Sequence, residues 1–251
     1  MAFSKSFFPL LVMLLLACSV QGQLLPNFYN STCPRLQRIV RSATKQAINK
    51  DPRMGAAVLR IFFHDCFVTV REATATISFS FCFLLHLHHG FFSLISCSLL
   101  HGPRWQALLG RRDSRTAAGQ FDAGANLPPA DMEVPALIGL FASKGLDAKD
   151  MVALSGSHTI GETRCGVYRS RIYNDNNVDP NFAAIRKNNC PPVGGDNIWT
   201  PLDLQTPTRF DNKYYRNLLG GRGILHSDQA LYSGGPVDSL VKLYSANNSE
   251  H

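Results

Sequence analysis

Arg60 and His64 stand four residues apart in the stretch Leu59-Arg60-Ile61-Phe62-Phe63-His64-Asp65-Cys66-Phe67-Val68. On a helix, positions i and i+4 project from the same face. A guanidinium that is always charged, beside an imidazole that titrates near neutrality, suits proton-coupled chemistry. Ile61, Phe62 and Phe63 add apolar bulk that would keep water from the pair. On spacing alone, an incidental Arg/His pair on an amphipathic helix remains the simpler reading. A further histidine, His158, lies in Met151-Val152-Ala153-Leu154-Ser155-Gly156-Ser157-His158-Thr159-Ile160-Gly161. Taken alone, a histidine at a helix end is ordinarily structural, a partner of the C-terminal dipole or a satisfied core group.

Several elements must position these groups. Asp51-Pro52 supplies an N-cap acid and a proline at the first helical position, opening the helix that carries Arg60 and His64. Before it, Cys33-Pro34 opens a helix with Leu36, Ile39, Val40, Ala43 and Ala47 on one stripe and basic residues opposite. Further on, Asn126-Leu127-Pro128-Pro129 is a stiff connector and Arg111-Arg112-Asp113-Ser114 a turn-rich loop. Asp131 is expected to cap a helix through Leu137 and Phe141 to Lys144, stopped by Gly145. Asp147 caps the next, Ala148 to Ser155, which leads to His158. Another helix is expected from Gly161-Glu162 through Cys165, Tyr168 and Ile172. Residues 189–207 read as loop, and residues 210–219 as helix. The fold class is mainly α with long loops and almost no strand signal.

The chain has 251 residues, enough for one large domain or two small ones. Lys and Arg number 25 against 18 Asp and Glu, a formal net charge of +7. That balance suits an anionic partner such as an acidic polysaccharide, but no dense basic tract points to nucleic acid. Lys5, the apolar run from Phe7 to Ala17 and the small residues before Gln23 read as a secretory signal over residues 1–22, cleaved after Gly22. The predicted compartment is extracellular. Of seven cysteines (Cys18, Cys33, Cys66, Cys82, Cys97, Cys165 and Cys190), removal of Cys18 with the signal leaves an even set. Export makes disulfides plausible, although parity fixes no pairing. Asn30-Ser31-Thr32 and Asn247-Asn248-Ser249 contain glycosylation sequons.

Residues 69–101 break this texture. No Lys, Arg, Asp or Glu occurs from Ile77 to Leu100. The run is long enough to span a bilayer, but three histidines, several serines and Phe/Ser alternation speak against a membrane helix. His86, His88 and His89 could bind a metal, yet neither a carboxylate nor helical spacing supports it.

The Arg60–His64 stretch, the His158 motif and the block Asp203-Leu204-Gln205-Thr206-Pro207-Thr208-Arg209-Phe210-Asp211-Asn212-Lys213-Tyr214-Tyr215 together resemble the plant secretory haem peroxidases, class III. The resemblance covers residues 23–68 and residues 102 to about 248, in the family's order. It implies a haem-peroxidase-like helical fold, haem b, Ca²⁺, hydrogen peroxide as substrate, and small phenolic reductants oxidised by one-electron steps. It implies His158 as the proximal iron ligand, with Asp228 accepting that ligand's other ring N–H. It implies His64 as the distal base and Arg60 as the group that stabilises negative charge on the cleaving peroxide. Pro128 matches a position at the exposed haem edge, where phenols dock. Thr159, Asp203, Thr206 and Asp211 match a proximal calcium site, and Cys165 and Cys190 match a family disulfide.

The departures are as definite. Where the family continues Asn-Gly-Cys-Asp, this chain has Thr69-Val70-Arg71-Glu72, without the asparagine that holds the distal histidine's second nitrogen. Of the distal calcium site only Asp65 and the Val68 carbonyl remain, too few ligands for Ca²⁺. Residues 23–68 are thus expected to form the distal haem side and residues 102–251 the proximal side. Residues 69–101 are read as translated intron in place of distal helices, and the C-terminal helices as missing. A catalytically impaired or unstable mis-spliced family member, at most a haem-binding non-enzyme, is the alternative. A membrane-tethered protein and a serine hydrolase fit less well: Ser155 and Ser157 lie in no nucleophile-elbow pattern.

Overall fold

The computed structural model describes residues 25–69, 95–102, 104, 106, 109–110 and 119–246. The signal segment, His86, His88, His89, Cys82 and the second sequon lie outside these residues. The described chain is mainly helical. In order it comprises α1 (Leu36–Lys50), α2 (Arg53–Thr69), α3 (Gln120–Asn126), α4 (Val134–Ala142) and α5 (Ala148–Ser155). A 3₁₀ turn (Gly156–Thr159), β1 (Glu162–Arg164), α6 (Cys165–Asn174), α7 (Pro180–Asn188) and β2 (Trp199–Pro201) follow. The last three helices are α8 (Lys213–Leu219), α9 (His226–Ala230) and α10 (Asp238–Ala246).

α2 forms as its N-terminal chemistry predicts. Asp51 Oδ1 accepts the Arg53 backbone N–H at 3.0 Å, and the Arg53 side chain folds back onto the same carboxylate. Two residues' advance turns the helix by roughly 200°. Phe62 and Cys66 therefore point away from the Arg60/His64 face, and both are buried with Phe67. They join one core with Leu137 and Phe141 of α4, Met151 and Val152 of α5, and Tyr215 and Leu218 of α8. Burying a Phe side chain of this kind contributes about 1.5–3 kcal/mol. Ile61 does not shield the pair: it is 54% exposed. Phe63 does, packing on Phe67 at 4.8 Å between ring centroids.

Other local expectations shift. The inner face of α1 is Val40, Thr44 and Ile48, while Ile39 is exposed. Thr44 can be buried because its hydroxyl donates to the Val40 carbonyl at 2.9 Å. The N-cap of α4 is Glu133, not Asp131, with Pro135 in the first turn; Gly145 closes the helix end at φ +79°. α5 carries a full capping box between Asp147 and Asp150. The expected helix at Gly161-Glu162 starts only at Cys165, because residues 162–164 pair antiparallel with residues 199–201. Gly161, at φ +102°, makes that switch from turn to strand. Cys165 and Cys190 form a disulfide that ties the start of α6 to the end of α7.

The last part of the apolar segment belongs to the packed structure. Residues 95–99 are helical, and Ile95, Cys97 and Leu100 are buried. The Leu100 carbonyl accepts the Phe210 N–H at 2.8 Å, joining this piece to the loop before α8.

Candidate active site

One cavity of about 910 Å³ lies between α2 and the α5–3₁₀ segment. Arg60, His64, Pro128, His158 and Asp228 all line it, together with Phe63, Leu137 and Phe141. The fold thus brings five of the sequence-derived site residues onto one space. Its volume is at the upper end of what ligand sites enclose, and its lining mixes apolar side chains with charged ones, among them Arg53, Arg60, Glu162 and Arg164.

On the α2 wall, Arg60 Nε donates to His64 Nε2 at 3.3 Å. The imidazole pKa is lowered, first by burial and then by the neighbouring guanidinium. His64 is therefore a neutral base at physiological pH. Among the described residues, its Nδ1 has no hydrogen-bond partner.

On the opposite wall, the 3₁₀ turn turns His158 into the cavity. Gly156 makes this turn fit, since a Cβ there would collide with the Tyr215 hydroxyl. His158 Nδ1 lies 2.8 Å from Asp228 Oδ1. The His158 side chain keeps 39% of its surface toward the cavity, whereas Asp228 is 4% exposed. Burial pulls the His158 pKa down, but the charge and hydrogen bond of Asp228 outweigh it and the net shift is upward. In the neutral ring with Nδ1 donating to the carboxylate, Nε2 would hold the free lone pair. An imidazole so fixed, on the wall of a large cavity, would fit an iron ligand once its Nε2 is deprotonated.

Behind the His158 turn lies an oxygen-rich cluster. Thr206 Oγ1 sits 3.1 Å from Asp211 Oδ1 and 3.4 Å from Asp203 Oδ2. Asp203 and Asp211 are both buried. The Thr159 hydroxyl is fully buried with no hydrogen-bond partner, on a turn that packs against α8 just after Asp211. Two buried carboxylates and an orphaned hydroxyl fit a hard cation with oxygen ligands. Asp65 and Val68 sit one turn apart at the end of α2. Among the described residues, no group of three or more His, Cys, Asp and Glu converges as a metal site. The proximal cluster has two carboxylates, and its other oxygens are threonine hydroxyls. No described helix is long and apolar enough to cross a membrane.

Three contacts, made by two residues, go beyond the sequence expectations. The Tyr214 hydroxyl donates to Asp228 Oδ1 at 3.0 Å. His226, two residues before Asp228, bridges Asp175 at 2.7 Å and Glu133 at 2.9 Å. Their partners are 14, 51 and 93 residues distant in the chain, so no local pattern signals them.

A scaffold of helices around a large cavity, with a histidine on each wall and a carboxylate behind one of them, has the make-up expected of a haem-enzyme site. Residues 91–247 match the family model described as Peroxidase. The chain is 42% identical to Peroxidase 4 of Vitis vinifera, over 94% of this chain and 84% of the relative. It is 39% identical to Peroxidase P7 of Brassica rapa, over 90% of this chain and 88% of the relative. With Peroxidase 67 of Arabidopsis thaliana the identity is 38%, over 95% and 87%. The chain belongs to the plant class III peroxidases, haem-dependent oxidoreductases that consume hydrogen peroxide and a reducing substrate. Haem and calcium are general to that family, and its members are typically secreted. The family match begins at residue 91, inside the apolar segment.

Proposed function

We propose that this chain is a secreted peroxidase that reduces hydrogen peroxide and oxidises small phenolic donors, with its chemistry divided between the two walls of the cavity. His158 holds haem b through Nε2, and Asp228 fixes its tautomer through Nδ1. The haem, when bound, supplies the iron at which the peroxide is reduced. His64 Nε2 accepts the proton from the inner peroxide oxygen and returns it to the outer one, which leaves as water. The Arg60 guanidinium stabilises the negative charge that grows on the peroxide as its O–O bond opens. Before this step Arg60 must release His64 Nε2, since one lone pair cannot take both donors. Pro128 forms part of the rim where the phenol docks.

Thr159, Asp203, Thr206 and Asp211 hold Ca²⁺, which stiffens the turn beneath His158. Asp65 and the Val68 carbonyl are a remnant of a second calcium site. Residues 1–22 direct export, and the basic excess that remains once Lys5 leaves with them (24 Lys and Arg against 18 Asp and Glu) favours retention by cell-wall polyanions.

The sharing of one cavity by His64 and His158 carries this reading. The test is haem stoichiometry with peroxide-driven guaiacol oxidation, for wild type and His64→Ala. The expected result is one haem per chain in both, with turnover lower by roughly 10²-fold or more in His64→Ala. Equal turnover in the two would remove the base role from His64.

A further inference from the structure

Asp228 serves two donors with one oxygen. Its Oδ1 is 2.8 Å from His158 Nδ1 and 3.0 Å from the Tyr214 hydroxyl, while Oδ2 accepts the Leu225 N–H at 3.4 Å. Tyr214 is buried, and its ring stands edge-on to that of His158, with centroids 6.2 Å apart. Among the described residues, Asp228 is the only hydrogen-bond partner of that hydroxyl. A phenylalanine would fill the same space without burying an oxygen, so the hydroxyl has its effect through Asp228.

An oxygen that accepts from two donors divides its charge between them. We propose that Tyr214 is a positioning residue that limits how strongly Asp228 pulls on the Nδ1 proton of His158. It thereby sets the electron density His158 Nε2 offers to iron. The inference rests on the reading that His158 ligates haem iron. A carboxylate committed wholly to His158 would give the ring more imidazolate character and stabilise the oxidised metal. Tyr214 tempers that push and, from α8, also fixes the carboxylate's orientation.

The test uses the haem-loaded full chain as wild type, Tyr214→Phe and Tyr215→Phe. Tyr215 is the matched control: it is an adjacent buried tyrosine whose hydroxyl donates to the Val152 carbonyl at 3.0 Å rather than to Asp228. Two readouts are taken, the iron–histidine stretching band of the ferrous form and the ferric/ferrous midpoint potential. Tyr214→Phe is expected to raise the band frequency and make the potential more negative, and Tyr215→Phe to change neither. Unchanged readouts in Tyr214→Phe, or equal shifts in both variants, would overturn the proposal. Should Tyr214→Phe fail to fold, 3-fluorotyrosine at position 214 replaces it. Its more acidic hydroxyl donates more strongly, so both readouts must move the opposite way, and no movement overturns the proposal. Wild type that binds haem but shows no iron–histidine band would instead refute His158 as ligand, and the role of Tyr214 with it.

Discussion

Arg60 donates from Nε to His64 Nε2 across one turn of α2, at 3.3 Å. The same nitrogen is the one proposed to take the peroxide proton. Burial, with the guanidinium's charge second, keeps the imidazole neutral; the guanidinium also orients it in the resting cavity and must move when peroxide arrives. His64→Ala should lower the rate of peroxide cleavage by roughly 10²- to 10⁴-fold, the usual contribution of a general base. Arg60→Ala should cost about 10²- to 10³-fold, as removal of a charge-stabilising donor does. Stopped-flow mixing of each variant with peroxide measures both, and haem content should stay at the wild-type level.

The Thr206 hydroxyl bridges Asp203 and Asp211, two buried carboxylates whose mutual repulsion a cation would relieve. Chelation of Ca²⁺ should therefore lower the thermal midpoint and loosen the His158 turn. Calorimetry with and without chelator checks the first effect and the haem absorption band the second. Asp203→Asn should abolish the difference between the calcium-loaded and chelated forms.

His226 predicts a pH dependence of stability. Burial alone would lower its pKa, but hydrogen bonds that the ring donates to Asp175 and Glu133, reinforced by their charges, outweigh this and raise it. A histidine whose folded pKa is raised contributes stability that is complete below its unfolded pKa, about 6.5. That contribution is lost as pH rises through the folded value. The wild-type chain should thus lose stability from about pH 6.5 upward, and His226→Gln should flatten that part of the curve. Urea unfolding across the range compares the two. The ring is partly exposed, so solvent screening keeps the effect small.

The disulfide between Cys165 and Cys190 closes a loop with a sequence separation of 25. Cys165→Ser with Cys190→Ser should destabilise the fold by about 3 kcal/mol. Denaturant unfolding measures the loss. α6 and α7 should loosen more than the α2–α4–α5 core, which packs in a separate apolar cluster.

The roles of the residues on the cavity walls were legible only through the family resemblance, while local signals announced the helices that carry some of them. Arg60 and His64 share a helix face by spacing, and the Asp147 capping box announces α5 and with it the His158 turn. Contacts between distant segments were not legible. Nothing near Tyr214 or His226 in the sequence points to Asp228, Asp175 or Glu133. The inner arc of α1 was misjudged because apolar residues occur on two arcs, and tertiary packing chose the one holding Thr44. Strands of three residues are too short for alternation to appear, so the pairing of residues 162–164 with residues 199–201 read as helix and loop.

The most direct test concerns His158. Wild-type protein loaded with haem should show an imidazole-ligated iron spectrum. His158→Ala should lose it, and added imidazole should restore it by filling the space the side chain left. A His158→Ala spectrum identical to that of wild type, before any imidazole is added, would contradict the assignment of the two walls.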